Sequence, residues 1–167
     1  HFGEIFTRTD SMGRVWDHDN RAEVGLLTKR FTISGNMDYT EDNQLGGHVI
    51  THRGSESHIH HVEFYDMGQF DLAARYTMHF HFAGDQSQSS FFGNSMHRNF
   101  WRMLAIHGTD NLDVGNNFLL IGVDKAIWLE QGNEKNNHIH DNFVYSRTSC
   151  IWYEGMNNIV TGNHLVA

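Results

Sequence analysis

Phe91-Phe92-Gly93-Asn94, Leu112-Asp113-Val114-Gly115-Asn116, Ile139-His140-Asp141-Asn142 and Ile159-Val160-Thr161-Gly162-Asn163 are four statements of one phrase. Their asparagines fall 22, 26 and 21 residues apart. A second phrase lies between them, a short apolar run closed by a polar residue and glycine. It reads Leu104-Ala105-Ile106-His107-Gly108, then Ile127-Trp128-Leu129-Glu130-Gln131-Gly132, then Ile151-Trp152-Tyr153-Glu154-Gly155. A fixed period in this range is the signature of a solenoid. Short alternating strands with Asn and Gly at the bends make it a parallel β-helix, all-β, of about six coils.

Working outward, the earlier half holds the same kind of strand without a clean period. Arg21 to Ile33 reads as one or two strands around Gly25, Gly46 to His52 as another, and His58 to Tyr65 and Arg75 to Phe82 as alternating strands. Asp38 to Gln44 and Asp85 to Ser90 read as loops. The division expected is a single β-helix segment over 1–167, with irregular coils in 1–85 and regular repeats in 86–167. The chain is expected to be a piece of a longer protein.

Composition agrees. Proline is absent from the 167 residues, as suits a fold whose ladders need a backbone N–H on nearly every strand. The formal charge of −8 argues against nucleic acid as a partner. No run is long enough to span a membrane. Cys150 is the one cysteine, which excludes an internal disulfide and suggests a small buried apolar residue.

Several strings resemble a known family. Arg21-Ala22-Glu23-Val24-Gly25-Leu26-Leu27-Thr28, Tyr65-Asp66-Met67-Gly68-Gln69, Arg75 to Asp85, Ser95-Met96-His97 and Ile106-His107-Gly108 occur in that order. Together they resemble the right-handed β-helix region of the fibrocystin and cell-surface hyaluronidase family, over roughly residues 20–135. His79-Phe80-His81-Phe82-Ala83-Gly84-Asp85 is the most specific string. The resemblance implies a right-handed helix and an extracellular or cell-surface location. It implies activity less firmly, since some members depolymerise hyaluronan and others have no accepted enzymatic role.

Alternation along each strand sends every second side chain outward. With Leu104 and Ile106 inside, two outer columns follow. One is His81, His107, Glu130 and Glu154; the other is His79, Ala105, Trp128 and Trp152. Met78, Phe80 and Phe82 are then expected inside. Indole rings offer flat platforms for sugar rings, so Trp128, Trp152, His79 and His81 are candidate polysaccharide-binding residues. Glu130 and Glu154, about 5 Å apart on adjacent coils, would repel and raise one proton affinity, at the carboxylate spacing retaining glycosidases use. With His107 they are the candidate catalytic set.

A second candidate chemistry is metal binding. His-x-His on a strand puts both imidazoles on one face, and His58-Ile59-His60 and His79-Phe80-His81 are two such pairs. If their coils are neighbours, His58, His60, His79 and His81 converge on zinc or another divalent ion. Calcium is the alternative, Asp17-His18-Asp19-Asn20 having some look of a calcium loop.

Asn94, Asn116, Asn142 and Asn163 are expected to form a corner ladder, and Phe91, Phe118, Phe143 and Leu165 interior stacks. Two functions stand side by side: an extracellular module that binds and depolymerises a hyaluronan-like polysaccharide, or a structural or adhesive element. Its partners are a polysaccharide or cell-surface proteins, with further coils of a parent chain stacked on its ends.

Overall fold

The computed structural model describes residues 5–19, 21–22, 24–36 and 43–167. A hairpin of β1 (Ile5–Thr9) and β2 (Val15–Asp19) comes first, antiparallel. The strands after it fall into three parallel sheets, and a chain visiting three sheets in rotation is a β-helix.

The first sheet stacks β4 (Val49–His52), β7 (Met78–Asp85), β10 (Leu104–Asp110), β13 (Ile127–Leu129) and β16 (Ile151–Trp152). The second stacks β5 (His58–His60), β8 (Ser90–Phe92), β11 (Asp113–Gly115), β14 (His138–His140) and β17 (Ile159–Thr161). The third stacks β3 (Phe31–Ser34), β6 (Val62–Tyr65), β9 (Ser95–His97), β12 (Phe118–Gly122), β15 (Phe143–Ser146) and β18 (His164–Val166). Among the described residues, sheets of five, five and six strands make about five turns, one fewer than the sequence period suggests.

The core is three columns of apolar side chains, one per sheet. Met78, Leu104 and Ile127 stack in register in the first, with Phe80, Ile106 and Leu129 beside them. Ile59, Phe91, Val114, Ile139 and Val160 form the second. Phe64, Met96, Leu119 and Val144 form the third. Cys150 is buried against this core, as expected.

Corners between the second and third sheets carry the asparagine ladder. Asn94, Asn117, Asn142 and Asn163 are its rungs, at separations of 23, 25 and 21 residues. The rung is therefore Asn117, not Asn116. Asn116 is exposed with φ of +53°, the left-handed residue that turns the corner. A shorter ladder, Asn137 over Asn158, runs at the preceding corner and is not part of the sequence expectation.

Three further expectations are corrected. Phe118 and Phe143 are not interior: they stack on each other outside the third sheet, centroids 4.5 Å apart. Inward places there belong to Leu119 and Val144; Leu165 continues their column at the end strand and is half exposed. Phe82 also lies outside. Its φ of +47° makes it an extra residue in β7, so the ladder resumes with Gly84 opposite Thr109 and Ala83 takes the inward place. Finally, Val24 to Arg30 form no ladder strand: Gly25 lies against the Phe118 ring, and the Leu27 carbonyl accepts from Ser95 Oγ. Glu23, Asn20 and the greater part of the expected Asp38–Gln44 loop lie outside the described residues.

Candidate functional site

The outer face of the first sheet holds the columns read from alternation. Ile50, His79, Ala105, Trp128 and Trp152 are successive register partners. His52, His81 and His107 form the neighbouring column, continued by Glu130 one place beyond the Ile106–Leu129 pair. Facing outward did not leave all of these residues in solvent. His79 and Ala105 are fully buried and His107 nearly so, because large side chains close over them. The Tyr76 ring lies 4.9 Å from His79 and 5.8 Å from Trp128, and the Phe82 ring lies 4.0 Å from His107.

The result is a buried polar cluster. His81 Nδ1 is 3.3 Å from His79 Nε2, and the His79 and His107 rings are stacked 5.9 Å apart. Glu130 Oε2 approaches His107 Nδ1 at 3.4 Å and His79 Nε2 at 3.7 Å. Neither Glu130 approach has hydrogen-bond geometry, and among the described residues Glu130 Oε2 and both His107 nitrogens have no hydrogen-bond partner. Burial first, then His81, holds the His79 imidazole down at about 3, so it is neutral. Burial, then His107, lowers His81 as well. Burial also raises the Glu130 carboxyl, against the pull of His107 and Arg102.

Glu154 does not join Glu130. Strand β16 ends at Trp152, so Glu154 is off the ladder; it packs on Gly132 and accepts from Trp152 Nε1 at 3.2 Å. The carboxylate that repels Glu130 is Glu134. Glu134 is itself fully buried, receiving backbone N–H groups of Gly108, Gln131 and Gly132, and so holds two corners.

His58 and His60 are likewise separate from His79 and His81. They belong to β5, in the second sheet, where His58 meets Glu56 at 2.8 Å and His60 meets Ser90 Oγ at 2.7 Å. The sheet change after His52 was not readable without the coil register. Asp17, from the calcium-like string, sits in β2 and accepts from Thr7; Asn20 lies outside the described residues. A second donor group, Asp113, His138 and His140, lies on the second sheet.

Beside the cluster is an aromatic and cationic rim. The Arg102 guanidinium carbon lies 3.8 Å above the Trp128 ring, while Nε donates to Asp124 at 2.6 Å and Nη1 to the Tyr76 hydroxyl at 3.0 Å. Lys125 Nζ stands 5.6 Å from the Trp128 ring centroid and 5.4 Å from that of Trp152. Trp128 is half-buried, and Trp152 and Tyr153 are exposed. Alternation along the strands did not single out Arg102 or its partners Tyr76, Asp124 and Lys125, which lie outside the strands that carry the two outer columns. Arg98 pairs with Asp66 and Arg75 with His48. A cavity of about 460 Å³ lined by Gly25, Lys29, Phe118, Phe143 and His164 is on the third sheet and includes none of these groups.

Comparison with known proteins converges on one family. The family model of the CEMIP beta-helix matches residues 44–164. Cell surface hyaluronidase CEMIP2 of Homo sapiens is 31% identical over 150 residues, covering 78% of this chain and 11% of the relative. Cell surface hyaluronidase of Danio rerio is 30% identical over 155 residues, covering 82% and 11%. A G8 domain-containing protein of Dictyostelium discoideum is 32% identical over 127 residues, covering 74% and 9%. The chain thus spans about a tenth of the length of these relatives. It belongs to the CEMIP beta-helix family, and the cell-surface hyaluronidase side of the resemblance is the side these relatives bear out.

Proposed function

We propose that this member of the CEMIP beta-helix family is an extracellular module that binds an acidic, hyaluronan-like polysaccharide along the outer face of its first sheet. The observation that carries the reading is the pair Trp128 and Trp152, in register on adjacent coils with Lys125 over both rings. Apolar sugar faces stack on indoles, and an acidic sugar needs nearby cations. Lys125 and Arg102 share Asp124 as their counter-ion and so leave a local excess of positive charge, on a chain whose overall charge is −8. The names of the human and Danio rerio relatives, cell surface hyaluronidases, favour the same substrate class and location.

Depolymerisation of the bound chain is the second reading, favoured by Glu130, a carboxyl raised by burial and facing two imidazoles. Titration of hyaluronan fragments into the chain tests binding, and reducing-end release tests cleavage. Trp152→Ala is expected to weaken binding. Glu130→Gln is expected to abolish cleavage while binding persists. If neither tryptophan matters to any glycan, the face serves contact with another protein, as in the structural or adhesive alternative.

A further inference from the structure

We propose that His79, His81 and His107 form a binding site for one divalent transition ion of the zinc class, with Glu130 as its fourth donor. The site stands on geometry separate from the Trp128–Trp152 binding reading, and it shares Glu130, His79 and His107 with the cleavage reading. One ring nitrogen from each of the three histidines lies within 4.8 Å of the other two. A tetrahedral zinc with nitrogens at 2.0–2.1 Å needs donor separations of about 3.3 Å. The His79 Nε2 to His81 Nδ1 separation is already 3.3 Å, and Glu130 Oε2 lies 3.4 and 3.7 Å from His107 and His79. The group of donors mutually within 4.8 Å is the three histidines alone, so Glu130 completes the set only by turning its carboxylate toward His81.

Two observations point to a missing ligand rather than to a self-contained network. His107 is more than nine-tenths buried, yet among the described residues neither ring nitrogen has a hydrogen-bond partner, and the Glu130 oxygen facing it has none either. Buried polar atoms are ordinarily satisfied, so one orphaned imidazole and one orphaned carboxylate oxygen aimed at each other mark a site for a shared partner. His79 also has the outer support metal-binding imidazoles use. Its Nδ1 faces the Ala74 carbonyl at 3.4 Å, the arrangement that fixes Nε2 as the lone-pair nitrogen facing the cluster. Three imidazoles and one carboxylate suit zinc, copper or nickel, whereas calcium takes six to eight oxygens.

The experiment uses the 167-residue chain without an affinity tag, stripped with a chelator and titrated with zinc chloride. One equivalent is expected to bind, and cobalt(II) is expected to give the intense visible absorption of a tetrahedral site. His81→Gln, the least buried ligand change, should weaken binding by more than the roughly 10–100-fold typical for loss of an outer partner. A His58→Gln, His60→Gln double variant should bind as the parent does. In the unaltered chain, zinc should move the imidazole nitrogen resonances of His79, His81 and His107 together, a readout that needs no variant to fold. Binding below one equivalent, preference for calcium, or resonance changes confined to His58 and His60 or to His138 and His140 overturns the proposal.

Discussion

Asn117 Oδ1 accepts both the backbone N–H and the side-chain amide of Asn94 one coil away, at 2.9 and 3.1 Å. The Asn117 amide in turn donates to the Phe91 carbonyl at 3.0 Å and to Asn142 Oδ1 at 2.9 Å. Asn117→Ala strips four bonds from a fully buried corner and should destabilise by about 1–3 kcal/mol, since the partners stay buried and unpaired. Its neighbour Asn116 is exposed and left-handed. Asn116→Gly should leave stability unchanged or slightly raised, because glycine adopts that conformation without strain. Thermal midpoints of the two variants check both; equal losses would place Asn116 in the ladder after all.

Trp152 is the exposed member of the indole pair, and its truncation should cost about 1–3 kcal/mol of glycan affinity. Trp128→Ala should cost affinity as well, and also stability, because it leaves Arg102 and Tyr76 without their packing partner. Parallel binding and melting curves separate the two effects.

His140 gives the pH dependence a sign. Burial works against its charge, but the Asp141 and Asp113 carboxylates, 2.9 and 3.0 Å away, raise its pKa above the ordinary 6.5, with the His138 ring stacked 4.2 Å off. The folded state therefore holds this proton more tightly than the unfolded chain. Its contribution is complete below about pH 6.5 and is lost as pH rises through the raised value. The difference in thermal midpoint between the parent and His140→Gln should shrink from pH 6 to pH 8.5. A difference that grows over that range would reverse the assignment.

Amide exchange should be slowest at Leu104–Ile106 and Ile127–Leu129, whose strands are paired on both sides within the first sheet. Ile151 and Trp152, on the end strand of that sheet, should exchange faster. Uniform protection across the three segments would show a further strand laid on β16.

The sequence by itself determined the parallel β-helix, since period and alternation are local properties of the chain. The pairing of His81 with His107, of Ala105 with Trp128 and of Trp128 with Trp152 follows from aligning apolar positions between coils. Only the tertiary structure decided the rest, because it depends on single-residue register and on what covers an outward side chain. One left-handed residue, Phe82, moved a phenyl ring from the core onto His107. One corner placed Asn117 rather than Asn116 on the ladder. A change of sheet separated His58 and His60 from His79 and His81, and the end of β16 at Trp152 took Glu154 away from Glu130. Tyr76 and Phe82, contributed by turns and a bulge that no alternation rule foresees, buried His79 and His107 and made an outer ladder into an enclosed polar cluster.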